Sequence, residues 1–143
     1  MDIRTKRVYE PANPEDGARI LVDRLWPRGL TKEKVRANLW LKDVAPSTIL
    51  RKWFGHDRSR WKGFKTRYFL ELDAKPEAVK VLAEVAAKSR LTLLFSAQDS
   101  ECNQAVALTE YLSARSKQGP ANIGLSGRRP VRKANGRRRS ALR

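Results

Sequence analysis

The chain has 143 residues, 41% of them hydrophobic, and carries 31 Lys and Arg against 15 Asp and Glu, for a formal net charge of +16. That length holds one domain with a real core and is short for two. No apolar run approaches the ~18 residues of a membrane span, and the opening MDIRTKRVYE lacks a signal-peptide core. No membrane partner is therefore expected, and a cytoplasmic location is.

The charge is uneven. Residues 114–143 hold ten Arg and Lys and no Asp or Glu, so subtracting that +10 from +16 leaves +6 for residues 1–113. Two parts follow: a mildly basic α/β domain over 1–113 and a basic C-terminal tail over 114–143. Cys102 is the single cysteine, which excludes an internal disulfide.

Taken in order, Ile3–Val8 alternates enough for a first strand, and Arg4, Lys6 and Arg7 place it near an edge. Glu10–Gly17 is a loop by composition. Arg19–Asp23 gives a second strand, ending in a charged cluster beside Trp26, Pro27 and Gly29. Thr31 caps a short helix over Lys32–Ala37. Asn38–Lys42 is a third extended segment. Pro46 and Ser47 open a helix whose Leu50, Trp53 and Phe54 share one face. Trp61, Phe64, Tyr68 and Leu72 then form a core stripe on a helix over Ser59–Leu72. From these spacings Trp53, Phe54, Phe64 and Tyr68 are expected in one apolar cluster.

Pro76 starts another helix with Ala78, Val81, Leu82 and Val85 facing inward. Leu91–Ser96 is a continuous apolar strand. A final helix over about Glu101–Leu112 buries Cys102, Ala105, Val106 and Leu112, with Asp99 as its N-cap. Beyond Ala114 the apolar pattern stops, leaving too little surface to offset chain entropy, so the tail reads as disordered. Strands interleaved with helices predict a small three-layer α/β fold with a short, mainly parallel sheet.

In such sheets ligands collect beyond the carboxyl ends of the strands. Asp23, Arg24, Arg28, Lys42, Asp99 and Asn103 all fall there. Arg24, Arg28 and Lys42, with Asn103, suit a carboxylate or phosphate ligand. Asp23 and Asp99 are the candidate general bases. The same residues also suit a salt-bridge network that pins loops to the sheet. His56, the only histidine, is either a proton-transfer group or a loop-packing residue. Cys102 is either a thiol activated at a helix start or, like most free cysteines, buried and inert. One His and one Cys exclude the usual His/Cys metal sites, so neither metal nor cofactor is expected, although a carboxylate-held Mg²⁺ stays open. The phosphate-binding, dinucleotide and nucleophile-elbow motifs are absent. In the tail, Arg128-Arg129, Arg132-Lys133 and Arg137-Arg138-Arg139 form either a non-specific nucleic-acid anchor or a solvated extension.

VDRLWPRG at 22–29, LWLKDVAPS at 39–47, LRKWFGHD at 50–57 and LTLLFSAQD at 91–99 followed by Asn103 occur in an order that resembles one bacterial family. It is domain-of-unknown-function family 488, in its YeaO-like branch, and the likeness covers about residues 3–113. The resemblance implies a small cytosolic protein with a Rossmann-like sheet and no established activity. A related branch carries Cys-His-Arg after the last strand. This chain reads Glu101-Cys102-Asn103 there, with no His or Arg following, which gives thiol chemistry no support. The function expected is binding of a small anionic ligand at the strand ends, with an enzymatic step on a phosphorylated or carboxylated substrate as an open extension. The alternative is a nucleic-acid-associated protein anchored through residues 114–143.

Overall fold

A computed structural model describes residues 1–118. The chain divides into two units, Met1–Tyr111 and Leu112–Arg143. In the first unit, strands β1 (Ile3–Arg7), β2 (Ala18–Leu21), β3 (Leu39–Trp40) and β4 (Leu91–Phe95) form one sheet in the order β1-β4-β2-β3. Every neighbouring pair is parallel. All five residues of β4 are buried, as its unbroken apolar run requires of a central strand. The cation-bearing β1 lies at one edge, as its composition predicts, and the two-residue β3 at the other. Arg7 pairs with Phe95, and Leu21 with Leu94 and Trp40, so the strands end at nearly one level.

Side chains alternate across the sheet. One face carries Leu21 and Leu94. With Val8 and Val35 they form a buried cluster, against which Trp26, Leu30, Ala37 and Trp40 pack. Val35 comes from α1 (Lys32–Val35), which Thr31 caps by accepting from the Lys34 N–H. The opposite face buries Ile20, Leu91, Leu93 and Phe95.

Helix α2 (Thr48–Phe54) starts at Ser47, whose hydroxyl accepts from the Leu50 N–H, and stops at left-handed Gly55. Helix α3 (Trp61–Asp73) buries Phe64, Tyr68 and Leu72 in the expected stripe. Phe54 stacks on Phe64 at 4.6 Å, and Phe64 meets Tyr68 at 5.5 Å. The buried Tyr68 hydroxyl donates to the Val44 carbonyl at 2.5 Å. Trp53 departs from the expectation. It is half-buried, its ring lying against Gly63 of α3, with Arg67 3.8 Å and Arg60 5.3 Å from its ring centre. Two guanidinium groups take the place of the apolar neighbours that spacing alone assigned to it.

Helix α4 (Pro76–Lys88) packs on β4 through a stripe rotated from the expected one: Val79, Leu82 and Ala86 are buried, while Ala78, Val81 and Val85 are half-buried. Helix α5 (Gln104–Gln118) starts later than expected and continues past Leu112. Residues 114–118 are therefore helical, and the remainder of the expected tail, 119–143, lies outside the described residues.

Near the amino end of β2, Asp16 closes a 3-10 turn, Pro14–Asp16, and forms ion pairs with Arg19 and with Lys6 at 3.1 Å. Arg19 is only 5% exposed. Its remaining donors reach the Val35 and Arg36 carbonyls at 2.7 and 3.1 Å. Gly17 makes this corner possible, because its φ is +68° and a Cβ there would lie 2.4 Å from the Arg90 carbonyl oxygen.

Candidate functional site

A cleft of about 850 Å³ opens at the carboxyl ends of β1, β4 and β2. Its walls come from the 23–28 loop, the last turns of α2, the 96–99 turn and the start of α5. The 23–28 loop is held firmly. Trp26 Nε1 donates to the Leu30 carbonyl at 2.7 Å, the Tyr9 hydroxyl donates to the Arg28 carbonyl at 3.0 Å, and Pro27 is buried.

Asp23 lies on the cleft lining and is 6% exposed. Its Oδ2 accepts from the Ser96 N–H at 3.0 Å and its Oδ1 accepts from the Gln104 side-chain amide. Its carbonyl accepts from Trp40 Nε1 at 2.7 Å. Burial pushes its carboxyl above the ordinary range, outweighing the pull of the Ser96 and Gln104 hydrogen bonds and of the nearby Arg51 charge. Asp99 is the reverse case. Arg58 grips both its oxygens at 2.8 Å and, with the backbone N–H groups of Glu101 and Cys102, lowers its carboxyl to about 2.

Arg24 lines the cleft, but its guanidinium donates to the Ala45 and Pro46 carbonyls, both at 3.2 Å. Arg28 stands exposed at the rim. Asn103 is 2% exposed and is the true N-cap of α5: its Oδ1 accepts from the Val106 N–H at 3.0 Å, and its Nδ2 donates to the Asp99 carbonyl at 2.8 Å. Asp99, which the sequence predicts in that role, closes the preceding turn instead. Lys42 stands apart. It is exposed in the turn after β3, with its Nζ 4.2 Å from the Trp40 ring centre, and does not line the cleft. Five of the six residues expected from the strand-end rule thus border one concavity.

The structure adds Arg7, Arg51, Lys52 and Gln104 to the lining. Arg7 ends β1 and donates from Nε to the Ala97 carbonyl at 2.9 Å, so the strand-end rule applied to β1 would have found it. Arg51 and Lys52 come from a helix, where nothing in the local sequence announces the approach. His56 also borders the cleft, exposed at φ +58° and tilted against Phe54 at 6.3 Å. Cys102 is buried, and burial together with the Asp99 charge pushes its thiol up, the opposite of an activated thiolate. Among the described residues no three of His, Cys, Asp or Glu gather into a metal site, and no helix is long and apolar enough to cross a membrane.

These features define an α/β protein with an all-parallel four-stranded sheet and a cation-rich cleft at its strand ends. The chain belongs to the DUF488 family: the model of the inactive DUF488-N3 subclade matches residues 2–126. It is 45% identical over 112 residues to the uncharacterized protein YeaO of Escherichia coli (strain K12), covering 78% of this chain and 97% of that protein. Uncharacterized proteins Mb3100c of Mycobacterium bovis and Rv3073c of Mycobacterium tuberculosis are each 38% identical over 113 residues, with 79% of this chain and 95% of theirs covered. The YeaO-like resemblance read from the four sequence blocks is thereby established. No solved structure matches the chain.

Proposed function

We propose that this protein binds a small anionic ligand, bearing phosphate or carboxylate, in the cleft at the carboxyl ends of its strands. The observation that carries the reading is the imbalance of the lining. Arg7, Arg24, Arg28, Arg51 and Lys52 face two carboxylates, Asp23 and Asp99, and Asp99 is already paired with Arg58. Arg28 and Lys52 form no ion pair among the described residues, so their charge is available to a ligand. Binding is favoured over catalysis for two reasons. The matched subclade is described as inactive. Asp99, held near 2, accepts a proton poorly at neutral pH.

The test is calorimetric titration with inorganic phosphate and with citrate at low ionic strength. The wild-type chain binds at least one of them, and the Arg28→Glu/Lys52→Glu double variant binds neither. Equal binding by both proteins refutes the assignment.

A second reading rests on the ten cations and no acids of residues 114–143. They suit a non-specific nucleic-acid anchor. Engagement of half of them with duplex DNA gives a log–log salt slope of roughly 4 to 5. Replacing Arg128, Arg129, Arg137, Arg138 and Arg139 with Gln lowers that slope if the tail is the anchor and leaves it unchanged if it is not.

A further inference from the structure

A cleft that holds only an anion has no use for a buried carboxylate on its lining. Asp23 is such a group, 6% exposed and bordering the same concavity as five cations. None of those cations forms an ion pair with it among the described residues. Arg24, its chain neighbour, is turned away to the Ala45 and Pro46 carbonyls. The Ser96 N–H occupies one oxygen and the Gln104 amide the other, and the Ser96 hydroxyl also hydrogen-bonds the carboxylate. An ionised carboxylate has about four acceptor positions, so about one is left. Pinning the 96–104 segment accounts for the bonds already made, and an asparagine would serve that purpose nearly as well once the Gln104 amide turned over. The negative charge and the unused acceptor need another reason.

We infer that the ligand is a hydroxylated phosphate ester, with its phosphate among Arg28, Arg51 and Lys52 and a hydroxyl group donating to the Asp23 carboxylate. This rests on the anion-binding reading above and specifies its substrate class. A neutral hydroxyl is favoured over an ammonium as the donor because Arg24 and Arg51 border the same space and repel a second cation. The cleft volume of about 850 Å³ also exceeds what bare phosphate fills and falls in the range of small organic ligands. A carboxylate whose orientation is set by a backbone N–H and a side-chain amide is pre-organised to read a hydroxyl, and such sites discriminate strongly against analogues that lack it.

The experiment titrates the full chain with three probes: inorganic phosphate, glycerol 3-phosphate and n-propyl phosphate. The wild-type protein binds glycerol 3-phosphate at least about tenfold tighter than propyl phosphate, which matches it in chain length but has no hydroxyls. Asp23→Asn brings the two esters to equal affinity, whatever its effect on inorganic phosphate. Equal wild-type affinity for the two esters overturns the inference and leaves the anion reading standing. That comparison needs no variant, so it is decisive even if Asp23→Asn folds poorly. Failure of all three probes to bind overturns the inference, and the anion reading falls with it only if citrate fails to bind as well.

Discussion

Two groups of charge lie at different places on this sheet and behave oppositely. Near the start of β2, Lys6, Asp16 and Arg19 close on one another, and Arg19 spends its other donors on the end of α1. At the far ends of the strands, Asp23, Arg28 and Lys52 form no ion pair among the described residues. The residue types are the same. What separates structural charge from available charge is whether donors and acceptors exhaust each other, and composition does not reveal that.

The contrast predicts a graded set of effects. Asp16→Ala strands a buried guanidinium and costs about 3–5 kcal/mol in urea unfolding. A midpoint close to wild type would show that the network contributes nothing. Gly17→Ala costs more than about 2 kcal/mol, because positive φ and a backbone clash combine. Gly29→Ala, at φ +80° with open space around it, costs only about 1 kcal/mol. Similar losses at the two glycines would contradict the difference in crowding between the two regions.

The two aspartates also predict opposite pH slopes. Burial acts to raise Asp16, but hydrogen bonds from Asn13, Lys6 and Arg19 outweigh it, and its carboxyl ends below the usual 3.8. Its contribution is present above 3.8 and is lost as pH falls through the lowered folded value. Asp23 titrates above 3.8 in the fold, so its contribution is present below that value and is lost as pH rises through the raised one. Asp23→Asn therefore gains stability relative to wild type as pH climbs through that window, and the gap is constant beyond it. Chemical unfolding of both proteins from pH 3 upward reads the sign directly. The smallest effect is at the rim: Arg28→Ala and Lys52→Ala each change stability by less than about 0.5 kcal/mol, measured as urea midpoints. A larger loss at either would place that side chain in a structural network.

Much of this was legible in the residues. An unbroken LTLLF gives the central strand, and Phe64, Tyr68 and Leu72 give the buried face of α3. The strand-end rule locates Asp23, Arg24, Arg28 and Asp99 on one cleft. It fails at Lys42, because a neighbouring Trp40 ring offers a closer partner than any distant wall. It cannot see Arg51 or Lys52, which reach the cleft from α2, a helix that packs on α3 through Phe54 and Phe64. Trp53 was misplaced for a related reason: helical spacing identifies a face, but not whether Arg60 and Arg67 will cover it. The extent of α5 was missed because residues 114–118 carry little apolar signal yet continue the hydrogen-bonded ladder of a helix already begun.

The central claim is that the strand-end charges are open to a ligand while the Lys6–Asp16–Arg19 group is closed. Backbone amide chemical-shift mapping during a titration with inorganic phosphate tests it most directly. The account predicts saturable shifts concentrated at Arg28, Arg51, Lys52 and the 96–99 turn, with residues 16–19 unmoved. Shifts spread evenly over all surface cations, or none at the cleft, would contradict it.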